Sequence, residues 1–221
     1  MHFQLLGTTQ PVLSIALDPG ESILAAPGEF AWMTDSIEMS APAGAEASLP
    51  LSAYTAIQVA GTIAFAAKLP GSIVGLDVVR GAEYLVHQHG FLAGTPGITV
   101  AAGLLAAAGQ EELLLRRIAG QGTAWIGLSG DVVRRELPAG ASLRTHPWHV
   151  GMFEASVAVQ MAELDGAAVN SSGPGAAHLA VLSGPGAVWL QAVPPRSTLQ
   201  SLGPATEGDA GPAPTAAHST T

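Results

Sequence analysis

Cysteine is missing from all 221 residues, so disulfides, thiolate metal sites and a cysteine nucleophile are excluded, and the reducing cytoplasm is the expected compartment. Charge is scarce as well. Only 11% of the residues are Asp, Glu, Lys or Arg, against about 25% in an ordinary soluble domain, so much of the surface is small and neutral or is covered by other copies of the chain. Basic residues number 8 against 17 acidic ones, a formal charge of −9, and only Arg116-Arg117 and Arg134-Arg135 are adjacent. Phosphate binding releases counterions through clustered Lys and Arg. Nucleic acid is therefore not an expected partner, and the two arginine pairs read as solvated strand faces.

Long apolar runs are also lacking. Ile57 to Leu69 is broken by Gly61 and Lys68 and falls short of the roughly 18 residues that read as a transmembrane span. Met1-His2-Phe3-Gln4-Leu5-Leu6-Gly7 has no basic region ahead of an apolar core, so it does not read as a secretory signal. Large apolar side chains are almost absent from Gly203 to Thr221, which cannot offset the entropy of ordering. A disordered tail is expected over 196–221.

What the chain does have is recurrence. An apolar run, a glycine turn and a second apolar run return around Gly20, Gly81 and Gly140, set 61 and 59 residues apart. A second phrase keeps nearly the same period: Gly61-Thr62-Ile63-Ala64-Phe65, Gly122-Thr123-Ala124-Trp125-Ile126 and Gly186-Ala187-Val188-Trp189-Leu190. Two independent markers with one period point to three copies of a β-rich unit, here 1–66, 67–127 and 128–195. The fold class expected is all-β, three tandem β-sandwich repeats of about 60 residues, none stable alone.

Within the first unit, Val12 to Leu17 is strand-like, and Asp18-Pro19-Gly20-Glu21 supplies the turn, since Pro fixes φ and Gly accepts φ > 0. Ala26-Pro27-Gly28 breaks the returning strand before Phe30-Ala31-Trp32-Met33, and Ile37-Glu38-Met39 alternates as a half-buried strand does. The later units repeat this around Leu76 to Val86 and around Val132 to Leu143, followed by Val157 to Met161. Leu104 to Ile118 has helical composition, but its glycines and the repeat favour a short helical turn followed by a strand over Leu113 to Ile118. Trp32, Trp125, Trp148 and Trp189 recur near equivalent places, as core or inter-unit contacts do.

Chemistry is thin. His87-Gln88-His89 opens like a cupin metal strand, with two histidines facing one way, yet Ala93 and Gly94 stand where that pattern needs a carboxylate. His146-Pro147-Trp148-His149 sits at the equivalent turn, so a cupin-like metal-dependent enzyme using the His87/His89 pair, with His146 and His149 as further ligands, is the alternative to surface or edge-strand histidines. Gly173-Pro174-Gly175 and Gly184-Pro185-Gly186 lack the Lys-Ser/Thr and helix of a phosphate loop and read as turns. Ser129 lacks the nucleophile elbow. Asp131 with Glu136, or Glu111 with Glu112, read as solvated carboxylates.

The wording of the repeats resembles a known family. Leu17-Asp18-Pro19-Gly20-Glu21, Leu69-Pro70-Gly71-Ser72-Ile73, Gln88-His89-Gly90-Phe91-Leu92-Ala93, Ile118-Ala119-Gly120-Gln121-Gly122 and Gly184-Pro185-Gly186-Ala187-Val188-Trp189-Leu190-Gln191 resemble bacterial relatives of the mitochondrial "altered inheritance of mitochondria" protein twenty-four. The resemblance spans roughly residues 3 to 193. It implies a fold similar to the tryptophan-RNA-binding attenuation protein, with three subunits closing a homotrimeric ring of nine units. It also implies no enzymatic activity, no cofactor, and a eukaryotic role in inner-membrane organisation. Such a ring hides the open edges of a row of β units. The expected partners are other copies of the chain and, on the assembled face, an unidentified protein. The family's glycine-rich lead-ins are diluted at Leu51 to Ile57, Ala108 to Glu112 and Ser172 to Ala176.

Overall fold

The structure is a computed structural model that describes residues 1–26, 28–40, 51–108, 111–163 and 178–195. The expected tail, the Gly173-Pro174-Gly175 turn and the lead-in Ser172 to Ala176 lie outside the described residues, as does part of the lead-in Ala108 to Glu112. The described chain is all-β and antiparallel. It begins with β1 (His2–Leu6), β2 (Val12–Leu17), β3 (Ser22–Ala25), β4 (Phe30–Met33), β5 (Ile37–Ser40), β6 (Ser52–Ala56) and β7 (Gly61–Ala66). Next come β8 (Gly71–Val78), β9 (Tyr84–His87), β10 (Phe91–Gly94), β11 (Ile98–Ala108), β12 (Glu111–Gly120) and β13 (Gly122–Ser129). The last are β14 (Val132–Leu137), β15 (Ser142–Thr145), a single 3-10 turn Pro147–His149, β16 (Val150–Glu154), β17 (Ala158–Glu163), β18 (His178–Ser183) and β19 (Gly186–Gln191).

These strands form four sheets, ordered β1-β2-β7-β4, β5-β6-β3-β10-β13-β8, β11-β12-β9-β16-β19-β14 and β15-β18-β17. Alternation decides which face each strand buries. On β2, Leu13, Ile15 and Leu17 are fully buried and meet Trp125, Ile73 and Leu92 from the second sheet in one core. The opposite face of β8 and β13, through Leu76, Val78, Ala124 and Ile126, packs on Val86, Ile118 and Met152 of the third sheet. Leu85, Leu115, Phe153 and Val188 then pack on Ala180 and Leu182 of the fourth. The two middle sheets thus bury both faces, and each draws its strands from two separate stretches of chain.

The hairpin turns follow from their chemistry. Glu21 donates its N–H to the Asp18 carbonyl at 2.9 Å, and Ala82 and Ala141 do the same to Val79 and Pro138. Gly20, Gly81 and Gly140 sit at φ +83°, +86° and +81°, and a Cβ there would touch nothing within 4 Å. Backbone handedness alone, not crowding, therefore asks for glycine. Gly122 and Gly186, at φ +145° and +142°, are crowded as well, since a Cβ would run into Thr95 and Ser156.

One expectation fails. Leu104 to Ala108 forms no helical turn; it completes β11, which pairs with β12 from Ile98↔Gly120 to Ala108↔Glu111 with a register shift between Ala102 and Leu105. Helix propensity is worth a few tenths of a kcal/mol per residue, and a paired ladder overrides it. The glycine fits the ladder, because a Cβ on Gly103 would press on the backbone of Leu115 and Arg116.

Candidate functional site: two open strand edges and a histidine junction

Phe30-Ala31-Trp32-Met33 becomes strand β4 because its apolar side chains can pair beside β7, with a register shift between Phe30 and Trp32. Among the described residues, no strand of the first sheet lies beyond it. Phe30 is 40% and Trp32 46% exposed, although Phe30 stacks on Tyr54 with ring centroids 5.8 Å apart. β15 is likewise the outer strand of the fourth sheet, with Ser142 and Arg144 exposed.

The corresponding places in the two middle sheets are filled. β10 pairs with β13 much as β4 pairs with β7, with the same register shift, but on its other side it pairs with β3, Ala93↔Ala25 and Gly94↔Leu24. β16 pairs with β19 and, on its other side, with β9, Met152↔Val86 and Phe153↔Leu85. All four residues of β10 are buried, as are the first four of β16. The position that is bare on β4 is therefore interior on β10 and β16.

Next to β4, Glu29 is almost wholly buried and its carboxylate lies 3.1 Å from the Lys68 ammonium. Burial pushes its carboxyl pKa up, and the lysine opposes that shift. The first residue after the pair is Phe30, so the ion pair anchors the start of the open strand.

The histidines do not converge as a cupin set. β9 ends at His87, and Gln88-His89-Gly90 is a turn, so His89 is not two along the same strand. The His87 and His89 rings lie 5.6 Å apart, and His146 and His149 form a second pair at 6.2 Å. Among the described residues, no group of three or more His, Asp or Glu is placed to hold a metal ion. His87 instead packs against Trp148 at 5.9 Å, tying β9 to the 3-10 turn. Only 3% exposed, it has its pKa lowered to about 4 by burial and by the nearby His89, so it remains neutral at pH 7. Burial, then the cations Lys68 and Arg116, lowers His89 in the same direction. His146 caps the 3-10 turn, its Nδ1 accepting the Trp148 N–H at 3.4 Å, and His149 Nδ1 lies 2.7 Å from the Gln191 carbonyl. Gln191 donates to the Trp148 carbonyl and accepts from the N–H of buried Ser129. These polar groups fasten one segment to the next.

The profile of a family described as mitochondrial biogenesis AIM24 matches residues 3–193. The chain belongs to the AIM24 family. A Streptococcus pyogenes protein solved by X-ray crystallography is similar at a TM-score of 0.73 and 18% identity, covering 91% of this chain and 97% of that one. That similarity speaks for the fold alone. No curated protein matches. The stretch Leu51 to Ile57 contains β6, whose Tyr54 is the residue that Phe30 stacks on.

The sequence reading missed two things in this AIM24 chain. It assigned no strand to His2–Leu6, although His2-Phe3-Gln4-Leu5 alternates polar and apolar residues over a short run. It also treated the four tryptophans as equivalent. Only Trp125 and Trp189 are, each buried three residues past its glycine, whereas Trp32 stands on the open edge and Trp148 in the 3-10 turn. Exposure of Trp32 has no signature in the local sequence, because it depends on which strand is absent beside it.

Proposed function

We propose that this chain is a non-enzymatic, ring-forming scaffold built of three copies of one six-stranded β module over 1–66, 67–127 and 128–195, with the attenuation-protein-like ring as its working form. Subunits join head to tail, β4 of one copy pairing with β15 of the next. One observation carries this reading: among the described residues, the place filled on β10 by β3 and on β16 by β9 has no strand on β4, while β15, the matching strand type, pairs with β18 on one side and has no strand on the other. Counted from the turn glycines, Ala25 and Val86 correspond to Thr145, and Leu24 and Leu85 to Arg144. The join therefore sets Trp32 opposite Thr145 of a second copy and Met33 opposite Arg144 of a second copy.

Joining the first and fourth sheets also yields one more sheet whose strand order matches the middle two, with β1 added at its margin. The family resemblance supplies the number three for the subunits. Exposed aromatic edges are a hazard that association removes. The low charge and the sparse basic residues favour a protein partner over nucleic acid, and the absence of cysteine favours the cytoplasm. No helix among the described residues is long and apolar enough to cross a membrane. Light scattering or native mass spectrometry on untagged protein tests the ring: a particle of three, or a multiple of three, times the 22.2 kDa chain supports it, and a monomer at micromolar concentration overturns it.

A further inference from the structure

β1 lies outside the six-stranded pattern. It pairs with β2 in the register His2↔Ala16 to Leu6↔Val12, and its far edge has no strand beside it among the described residues. All five of its residues are exposed, including Phe3 at 55%, Leu5 at 45% and Leu6 at 40%. Phe3 meets Trp125 edge-on at 5.2 Å, so Phe3 and Leu5 face the core side of the sheet while His2, Gln4 and Leu6 face away. The strand is held in place from one side and bare on the other.

Among the described residues, the edges equivalent to β2 in the next two sheets, β8 and β14, have no such added strand. β14 is blunted by Arg134, Arg135 and Glu136 over its length, and β8 by Gly71, Gly75 and Asp77. Charge and glycine are how natural proteins keep an edge from recruiting another chain. β1 carries neither; His2-Phe3-Gln4-Leu5-Leu6 has no Asp, Glu, Lys, Arg, Gly or Pro.

We propose that β1 pairs with β1 of a second copy, antiparallel about a two-fold axis through Gln4. That register sets Phe3 against Leu5 of the second copy on the core face and Gln4 against itself on the other, with Leu6 opposite His2, so Phe3 and Leu5 each gain an apolar neighbour and the amides of the two glutamines can bond across the axis. An isologous contact of this kind closes on itself and needs no other protein. A second copy is the occupant these residues fit, because the strand is uncharged and self-complementary in this one register. The pairing rests on the ring reading for its final count: a ring carries one β1 per subunit on a single face, so two rings stack into six chains.

The absence of native cysteine makes the register directly testable. Opposed residues of an antiparallel pair have Cα atoms about 4.5–5.5 Å apart, within disulfide reach. Gln4→Cys should therefore link two chains on mild oxidation and run as a covalent dimer in denaturing gels. His2→Cys alone should not, because its opposite number is residue 6, whereas His2→Cys mixed with Leu6→Cys should. Native mass spectrometry of the unmodified chain supplies the second readout, with Leu5→Lys expected to raise the concentration for pairing at least tenfold. Six chains falling to three in Leu5→Lys supports both the pairing and the ring. Three chains with no Gln4→Cys link sinks the β1 pairing and leaves the ring. Two chains falling to one supports the pairing and sinks the ring, and a monomer throughout sinks both. Unchanged circular dichroism and melting of Leu5→Lys distinguish a broken contact from a broken fold.

Discussion

β10 and β4 hold matching places beside their partner strands, yet β10 is interior and β4 is bare. Their sequences do not explain it. Phe30-Ala31-Trp32-Met33 is no more polar than Phe91-Leu92-Ala93-Gly94, and the aromatic residues are if anything larger. β9 and β15 differ in sequence as well: only β15 lies at a margin, and its Ser142-Leu143-Arg144-Thr145 is more polar than Tyr84-Leu85-Val86-His87. Exposure is here a property of topology: whether a strand is an edge depends on what the chain places next to it. An edge that keeps interior residues is an edge adapted to being covered.

Substitutions can break that comparison on either side. The filled junction should be the more sensitive in the isolated subunit. Phe153→Ala empties a fully buried site on β16 and should lower unfolding stability by about 3–5 kcal/mol in a urea titration, whereas Phe30→Ala on β4 should cost less than about 1.5 kcal/mol in a subunit kept monomeric by dilution.

Acid should loosen the filled junction next. The pKa of His87 is lowered to about 4 in the fold, so between its unfolded value, near 6.5, and about 4 the unfolded chain binds the extra proton. Stability from this residue is complete above pH 6.5 and is lost as pH falls through 4, a drop on the order of 3 kcal/mol. As pH falls from 6.5 toward 4, the melting temperature of the parent should fall more steeply than that of His87→Leu; parallel curves at every pH would contradict a neutral buried imidazole.

On the open side, Trp32→Lys should weaken subunit association by at least about tenfold, from lost aromatic burial worth about 1.5–3 kcal/mol, while the melting of the dissociated subunit moves little. Sedimentation at graded concentrations reads both quantities. If the subunit unfolds instead, β4 is part of the monomer's core and the comparison fails. A modest change is expected of Gly20→Val, which forces a β-branched residue to φ +83° where no atom crowds it, at about 1–2 kcal/mol. An unchanged melt would mean that the turn can shift to a conformation valine accepts.

Much of the all-β pattern was legible in the sequence because turns have local chemistry. Asp18-Pro19-Gly20 and its counterparts carry turn residues whose glycine takes positive φ, the aliphatic run Val12 to Leu17 marks β2, and the alternation of Ile37-Glu38-Met39 marks β5, although there only Ile37 is buried and Met39 is exposed. Leu104 to Ala108 was misread because Leu and Ala favour helix locally, and only the long pairing with β12 decides otherwise. The site was harder. His87 and His89 share a sequence spacing that promises one face, but the strand ends at His87 and the turn takes His89 elsewhere. Nor could the sequence mark β4 or β1 as margins, since that requires knowing all the neighbours of a strand.

The sharing of sheets has a consequence for dividing the polypeptide. A cut in the connection near Lys68 would leave β3, β5 and β6 on one piece and β8, β10 and β13 on the other, each carrying half of a single sheet and complementary halves of one core. Neither piece could reach its native form alone, but mixed together they hold every ladder the intact chain holds. Split at that point and coexpressed, the two fragments should find each other and rebuild the whole, making this a protein that tolerates a broken backbone better than a missing segment.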